Sequence, residues 1–219
     1  MNFSVLADAQ PVERRLALAY TPARARGAVL ALFALDCRLA ALVRDAREPV
    51  LGQIKLAWWR EQLSKAPAAR PKGEPLLQLI GAWGERGAAL GALVDGWEAP
   101  LGEPAEPAKV IAAIAQGRAQ AAAALAELLG HANAASVAGR AAHGWTVAEI
   151  AADSAKKEVR STGLAQLIGA QDWSALRLPR DLRALAMLYG LARRSRGTRP
   201  LLPGPLAGLC AIRLGLFGI

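Results

Sequence analysis

Glu48-Pro-Val-Leu-Gly-Gln-Ile-Lys-Leu-Ala-Trp-Trp-Arg-Glu-Gln-Leu63 is the stretch on which the reading of this chain turns. Glu48-Pro49 is a helix start, with proline at the first helical position, where its missing N–H is no loss. The helix predicted from it runs from about Val50 to Lys65, with Ile54, Trp58 and Gln62 on one side by i, i+4 spacing. Adjacent residues on a helix point about 100° apart, so at least one of Trp58 and Trp59 enters the core while the other lies at a helix interface. Arg60 and Glu61 are placed to make charged contacts with neighbouring helices.

Outward from this stretch the same helical pattern continues. Upstream, Val12–Ala19 reads as a short helix. Thr21-Pro22 reads as an N-cap followed by proline, opening a long apolar helix through Ala28-Val-Leu-Ala-Leu-Phe-Ala-Leu35 and Cys37 to about Arg44. Downstream, residues 66–75 carry three prolines and a glycine and read as a loop. Helices are predicted at about Leu76–Glu98, Pro107–Leu129 (ended by Gly130), Ala132–Ala152, Leu178–Arg194 and Pro205–Phe217. Gly139 and Gly144 suit close helix packing. With no interdomain linker and no repeat, the chain reads as a single all-α helical bundle over residues 1–219, with a basic connector near 193–203 before the last helix.

Composition agrees. Of 219 residues 53% are apolar and only 5% aromatic, and alanine fills roughly a fifth, which is a helix-forming, core-burying composition rather than that of a sheet or a disordered chain. Cys37 and Cys210 sit alone in apolar runs, which argues against a disulfide framework or zinc cluster and for a reducing compartment. Residues 1–10 lack the charge and apolar core of a signal peptide, and no uninterrupted apolar run reaches the ~18–20 residues needed to span a bilayer. The expectation is a cytoplasmic protein, with peripheral contact at the inner membrane as a further expectation. A formal charge of +9 implies anionic partners without choosing among them.

The common catalytic templates are absent: no phosphate loop, no dinucleotide fingerprint, no His-Glu-x-x-His, no nucleophile elbow. His131, at a helix junction, and His143, mid-helix, read as ordinary polar or packing residues. The Trp-Trp-Arg-Glu helix and the Glu-Pro before it, together with Phe33-Ala-Leu on the preceding helix, resemble the squalene/phytoene synthase family. The signature residues are Phe33, Glu48, Pro49, Gln53, Trp58, Trp59 and Arg60, and the similarity runs most specifically from about Pro22 to Leu63. The wording Glu-Pro-x-Leu-Gly-Gln-Ile-Lys-Leu-x-Trp-Trp-Arg is closest to the branch that includes the mitochondrial respiratory complex I assembly factor and its bacterial relatives.

That resemblance implies a helical bundle of the isoprenoid synthase type and, in its catalytic members, Mg²⁺-dependent head-to-head joining of prenyl diphosphates. Mg²⁺ takes hard oxygen ligands and neutralises the departing diphosphate. The family's ligands are two Asp-x-x-x-Asp pairs, each on one helical face. Aligned on Phe33, the first pair falls on Ala40 and Arg44; slipped by one residue it falls on Ala41 and Asp45. The one acid pair at the right spacing for the second is Glu149 and Asp153, a weak metal candidate that otherwise reads as a solvated helix face. Lys156, Lys157 and Arg160 follow it and would repel a cation.

The resemblance therefore implies a scaffold without the metal motifs: a non-catalytic interaction or assembly factor with a protein partner, no cofactor, and room for a prenyl or lipid ligand. The alternative is an Mg²⁺-dependent prenyltransferase acting on farnesyl or geranylgeranyl diphosphate. In the C-terminal third, Arg177, Arg180, Arg183, Arg193, Arg194, Arg196 and Arg199 stand against Asp181 alone, beside an almost wholly apolar last helix. Arg193, Arg194, Arg196 and Arg199 are candidates for contact with an anionic membrane surface; arginines facing water around a packed helix are the alternative. Nucleic acid is not the expected partner, because no binding module or interleaved aromatics accompany these arginines.

Overall fold

The computed structural model describes residues 4–102, 106–153, 169, 171–197, 200–202 and 205–217, and among these there is helix and loop but no strand. The helices are α1 (Ser4–Asp8), α2 (Val12–Ala19), α3 (Ala23–Arg44), α4 (Pro49–Ser64), α5 (Pro75–Ile80), α6 (Gly91–Glu98), α7 (Pro107–Leu128), α8 (Ala135–Asp153), α9 (Arg183–Ser195) and α10 (Pro205–Phe217). This is the all-α architecture the sequence predicts.

α3 is the central element. Every residue from Ala28 to Asp36 is buried, so the helix is covered on all sides rather than along one stripe. α2, α5, α6 and α7 lie against it, α8 packs on α7, and α9 packs on α8. One continuous apolar core runs from Ala17 on α2 to Leu214 on α10, with Phe33, Leu56, Trp59, Trp83, Leu125, Trp145 and Leu188 among its members.

Starts and stops follow the local chemistry. Pro49, Pro75 and Pro107 each occupy the first turn of a helix, and the Glu74 carboxylate accepts a hydrogen bond from the Leu76 N–H. Gly130 ends α7 with φ +81, a conformation open to glycine. Two expectations are corrected. Thr21 does not cap α3: its hydroxyl donates back to the Ala17 carbonyl and closes α2, leaving Pro22 at the cap position. The predicted helix over Leu76–Glu98 is broken, because Gly84 takes φ +51 inside a 3-10 stretch, Gly81–Leu90, that separates α5 from α6.

Two glycines set the approach of α6 to α7. A Cβ at Gly117 would lie 2.3 Å from the Ala92 carbonyl oxygen, and one at Gly96 2.9 Å from that of Ala113. These close contacts bring the neighbouring side chains Trp97 and Arg118 together at α3. Gly139 and Gly144 pack as expected, Gly139 against the Ala119 carbonyl and Gly144 against the Tyr189 ring. At the far end of α3, buried Asp181 accepts from Arg24 Nε at 2.8 Å and lies 2.8 Å from His131 Nε2, tying three segments together. Thus His131 is a hydrogen-bond partner of Asp181, while His143 Nδ1 meets Gln171 Oε1 at 2.9 Å.

Candidate functional site

Four charged side chains converge beneath the C-terminal half of α3: Arg14 from α2, Asp36 from α3, Arg118 from α7 and Glu149 from α8. All are buried. Arg14 Nη1 donates to Asp36 Oδ2 at 2.8 Å, and its Nη2 donates to both oxygens of Glu149 at 3.2 Å. Arg118 Nε donates to Asp36 Oδ1 at 2.9 Å, its Nη2 lies 2.8 Å from Asp36 Oδ2, and its Nη1 reaches Glu149 Oε2 at 2.5 Å. Trp97 Nε1 adds a third donor to Asp36 at 2.8 Å. Both guanidinium carbons lie 4.8 Å from the Trp145 ring centroid, and that of Arg14 lies 5.7 Å from Phe33.

Two positive and two negative charges cancel, which is the condition for holding charges out of water. Burial by itself would raise the Asp36 pKa, but Arg118 and Arg14 overcome it and hold the carboxyl down at about 2. Glu149 is likewise held below the ordinary carboxylate range, its burial outweighed by Arg14 and Arg118. Both arginine pKa values are raised, burial notwithstanding, by the two carboxylates. Cys37, 3.3 Å from Arg14 Nη1 and 3.4 Å from Gln10 Oε1, has its thiol pKa pushed up by burial, partly offset by Arg14.

Above this cluster a cleft of about 790 Å³ opens. Arg14, Arg118 and Glu149 form its charged floor. Cys37, Ala40, Ala41 and Arg44 of α3 form one wall, with Trp97 and Ile150 opposite and Gln10 and Glu13 at the α2 side. Below the floor Phe33 and Trp145 fill the interior, ring centroids 5.8 Å apart in an edge-on contact.

The positions singled out from the sequence divide. Ala40 and Arg44, where alignment on Phe33 puts the first aspartate pair, line the cleft, as does Ala41 of the slipped register, whose second position, Asp45, is exposed and pairs with Arg44. Glu149 is no solvated face. It is 8% exposed and both its oxygens are taken by guanidinium groups. Asp153 is the last residue of α8, and its side chain lies outside the described residues, as do Lys156, Lys157, Arg160 and Arg199. The α4 signature does not reach the cleft. Glu48 and Pro49 start the helix, and Gln53 is half-buried. Trp59 is buried and meets half-exposed Trp58 edge-on. Arg60 bridges to Asp95 and Glu98 of α6 at 2.7 Å each.

Two further corrections concern the same helix: Glu61 pairs with Lys65 just past the helix's own end, and Gln62 turns inward while Ile54 and Trp58 stay exposed. Arg193, Arg194 and Arg196 are exposed at the end of α9, Arg196 in the left-handed conformation with φ 43.

Arg14, Asp36 and Arg118 were not among the residues picked out from sequence, although each carries a signal. Arg14 shares a face with Ala17 and Leu18, Arg118 shares one with Ile114, Ala115, Ala121 and Ala122, and Asp36 is the one charge in a nine-residue buried run that it ends. A charge on the apolar face of its own helix points to a buried partner. The pairing, across sequence separations of 22 to 135 residues, has no local pattern.

Mg²⁺ does not fit the donors present. Asp36 and Glu149 already accept from cations, and the α3 wall offers alanine and arginine; among the described residues no group of three or more His, Cys, Asp or Glu side chains is placed to hold a metal. Nor, among them, is any helix long and apolar enough to cross a membrane. Residues 10–104, which include α2 to α6, match the family model of squalene/phytoene synthase, and this match supports that family for the chain. No curated protein and no solved structure matches it.

Proposed function

We propose that this is a non-catalytic squalene/phytoene synthase-like protein that acts as an interaction or assembly factor, in the manner of the branch that includes the respiratory complex I assembly factor. One observation carries the reading. Where a catalytic member needs free carboxylates, the cleft has Ala40, Ala41 and Arg44 on its wall, and its floor carboxylate, Glu149, is neutralised by Arg14 and Arg118. A carboxylate that already accepts from two guanidinium groups is a poor magnesium ligand, and a second cation beside them would be repelled.

The surface favours a partner-binding role. Val50, Leu51, Ile54 and Trp58 stand exposed along α4, the outer side of the helix that carries the family signature. Peripheral contact with an anionic membrane is supported by exposed Leu209 and Ile212 on α10 and by Arg193 and Arg196 before it. The cleft has room for a small lipid or prenyl group lying over a charged floor.

Incubation of the pure protein with farnesyl or geranylgeranyl diphosphate and Mg²⁺, followed by diphosphate release, tests the reading. No release is expected, together with loss of complex I activity when the gene is deleted. Turnover that disappears in Glu149→Ala or Asp153→Ala would establish the prenyltransferase instead.

A further inference from the structure

A second cavity, of about 350 Å³, lies at the other end of α3 from the cleft. Arg26 near the start of the helix lines it and Arg44 near the end lines the cleft, 18 residues or about 27 Å along the axis. Its walls come from three segments: residues 19–22 with Arg26, Arg180 and Arg183 at the start of α9, and Gly215 of α10. Gly215 lies so close to Tyr20 that a Cβ there would fall 2.5 Å from the ring.

Three guanidinium groups share this space and none of the lining residues is acidic. Among the described residues none of the three makes an ion pair. Arg26 Nη2 donates to the Thr21 carbonyl at 3.1 Å, which holds the side chain at the rim. Arg183 Nη1 is buried and has no hydrogen-bond partner among the described residues. The Arg183 pKa is lowered by burial and further by nearby Arg180. The adjacent carboxylate, Asp181, is taken by Arg24 and His131.

Three like charges brought together around a pocket with no acidic lining residue are an arrangement that an anion completes. The geometry points to a phosphate-binding site at Arg26, Arg180 and Arg183, its ligand a phosphate monoester or inorganic phosphate. Guanidinium groups give planar paired donors to phosphate oxygens, and together three of them offset a dianion. The cavity is at the lower end of the range for small-molecule pockets, enough for a phosphate and a short group attached to it. The site is separate from exposed Arg193, Arg194 and Arg196.

The test is calorimetric titration of the full chain with inorganic phosphate at low ionic strength. One saturable site is expected, weakened about tenfold or more by Arg183→Gln and by Arg180→Gln. Arg44→Gln, in the other cavity, should leave it unchanged. Arg180 is exposed and unpaired among the described residues, so its replacement leaves the fold intact, which circular dichroism would verify. Flotation with phosphatidylcholine vesicles, with and without phosphatidic acid, separates the sources. Flotation that needs phosphatidic acid and is lost in Arg180→Gln identifies a lipid headgroup; phosphate binding without flotation identifies a soluble phosphate compound. Absence of saturable phosphate binding, or equal binding by the native protein and both variants, overturns the proposal.

Discussion

Replacing Arg118 by methionine keeps most of the side-chain volume and removes the charge that joins Asp36 to Glu149. Arg14 then remains as the one guanidinium for two buried carboxylates, with Trp97 still donating to Asp36. Breaking a buried ion pair from one side costs about 3–5 kcal/mol. For a chain of this size each kcal/mol is worth about 2–4 °C in Tm, so the expected loss is roughly 6–20 °C at pH 7.

The pH dependence carries the sharper test. In the native protein the Asp36 pKa is depressed from 3.8 to about 2, so its contribution is complete above the unfolded value and disappears as pH falls through that interval. In the variant the excess negative charge raises a carboxylate pKa in the folded state, so folding takes up a proton and the penalty shrinks in acid. Calorimetric scans at pH 7 and pH 5 should show the Tm gap between variant and native protein narrowing. Adding Glu149→Gln to Arg118→Met should cost less than the sum of the two single changes, since the pair share one network. A loss under about 1 kcal/mol, or a gap that widens in acid, would refute the neutralised cluster as drawn.

Other consequences are simpler to read. Gly117→Ala forces a Cβ to 2.3 Å from the Ala92 carbonyl and should destabilise by about 1–3 kcal/mol in urea denaturation; an unchanged midpoint would mean that α6 and α7 are not in such contact. Trp59→Ala should cost about 3–5 kcal/mol, Trp58→Ala far less, because one is 4% and the other 38% exposed. Cys37, with its raised pKa, should alkylate with iodoacetamide more slowly at pH 7 than an unfolded thiol of the same chain, and a faster rate would contradict its burial beside Asp36.

Helix positions were legible where a residue has one dominant reason for its place. Proline at 49, 107 and 205 marked three starts, Gly130 marked a stop, and the unbroken apolar run before Asp36 marked the central helix. The Gly81–Leu90 break was hidden because Gly84 is one of several glycines in an otherwise helical pattern, and only its φ distinguishes it. The family signature on α4 was the clearest feature of the sequence, yet it supports the scaffold: Trp59 fills the core and Arg60 clamps α6, at a distance from the cleft. Of the cleft, the wall residues Ala40 and Arg44 were legible through alignment on Phe33. Its floor was not, because the partners of Asp36 come from three other helices and nothing local links them.

Direct titration with Mn²⁺, followed by the loss of its free-ion electron paramagnetic resonance signal, tests the central claim that Asp36 and Glu149 are already neutralised. The prediction is no binding tighter than millimolar, whether or not a prenyl diphosphate analogue is present. Stoichiometric micromolar binding that Glu149→Gln abolishes would contradict it.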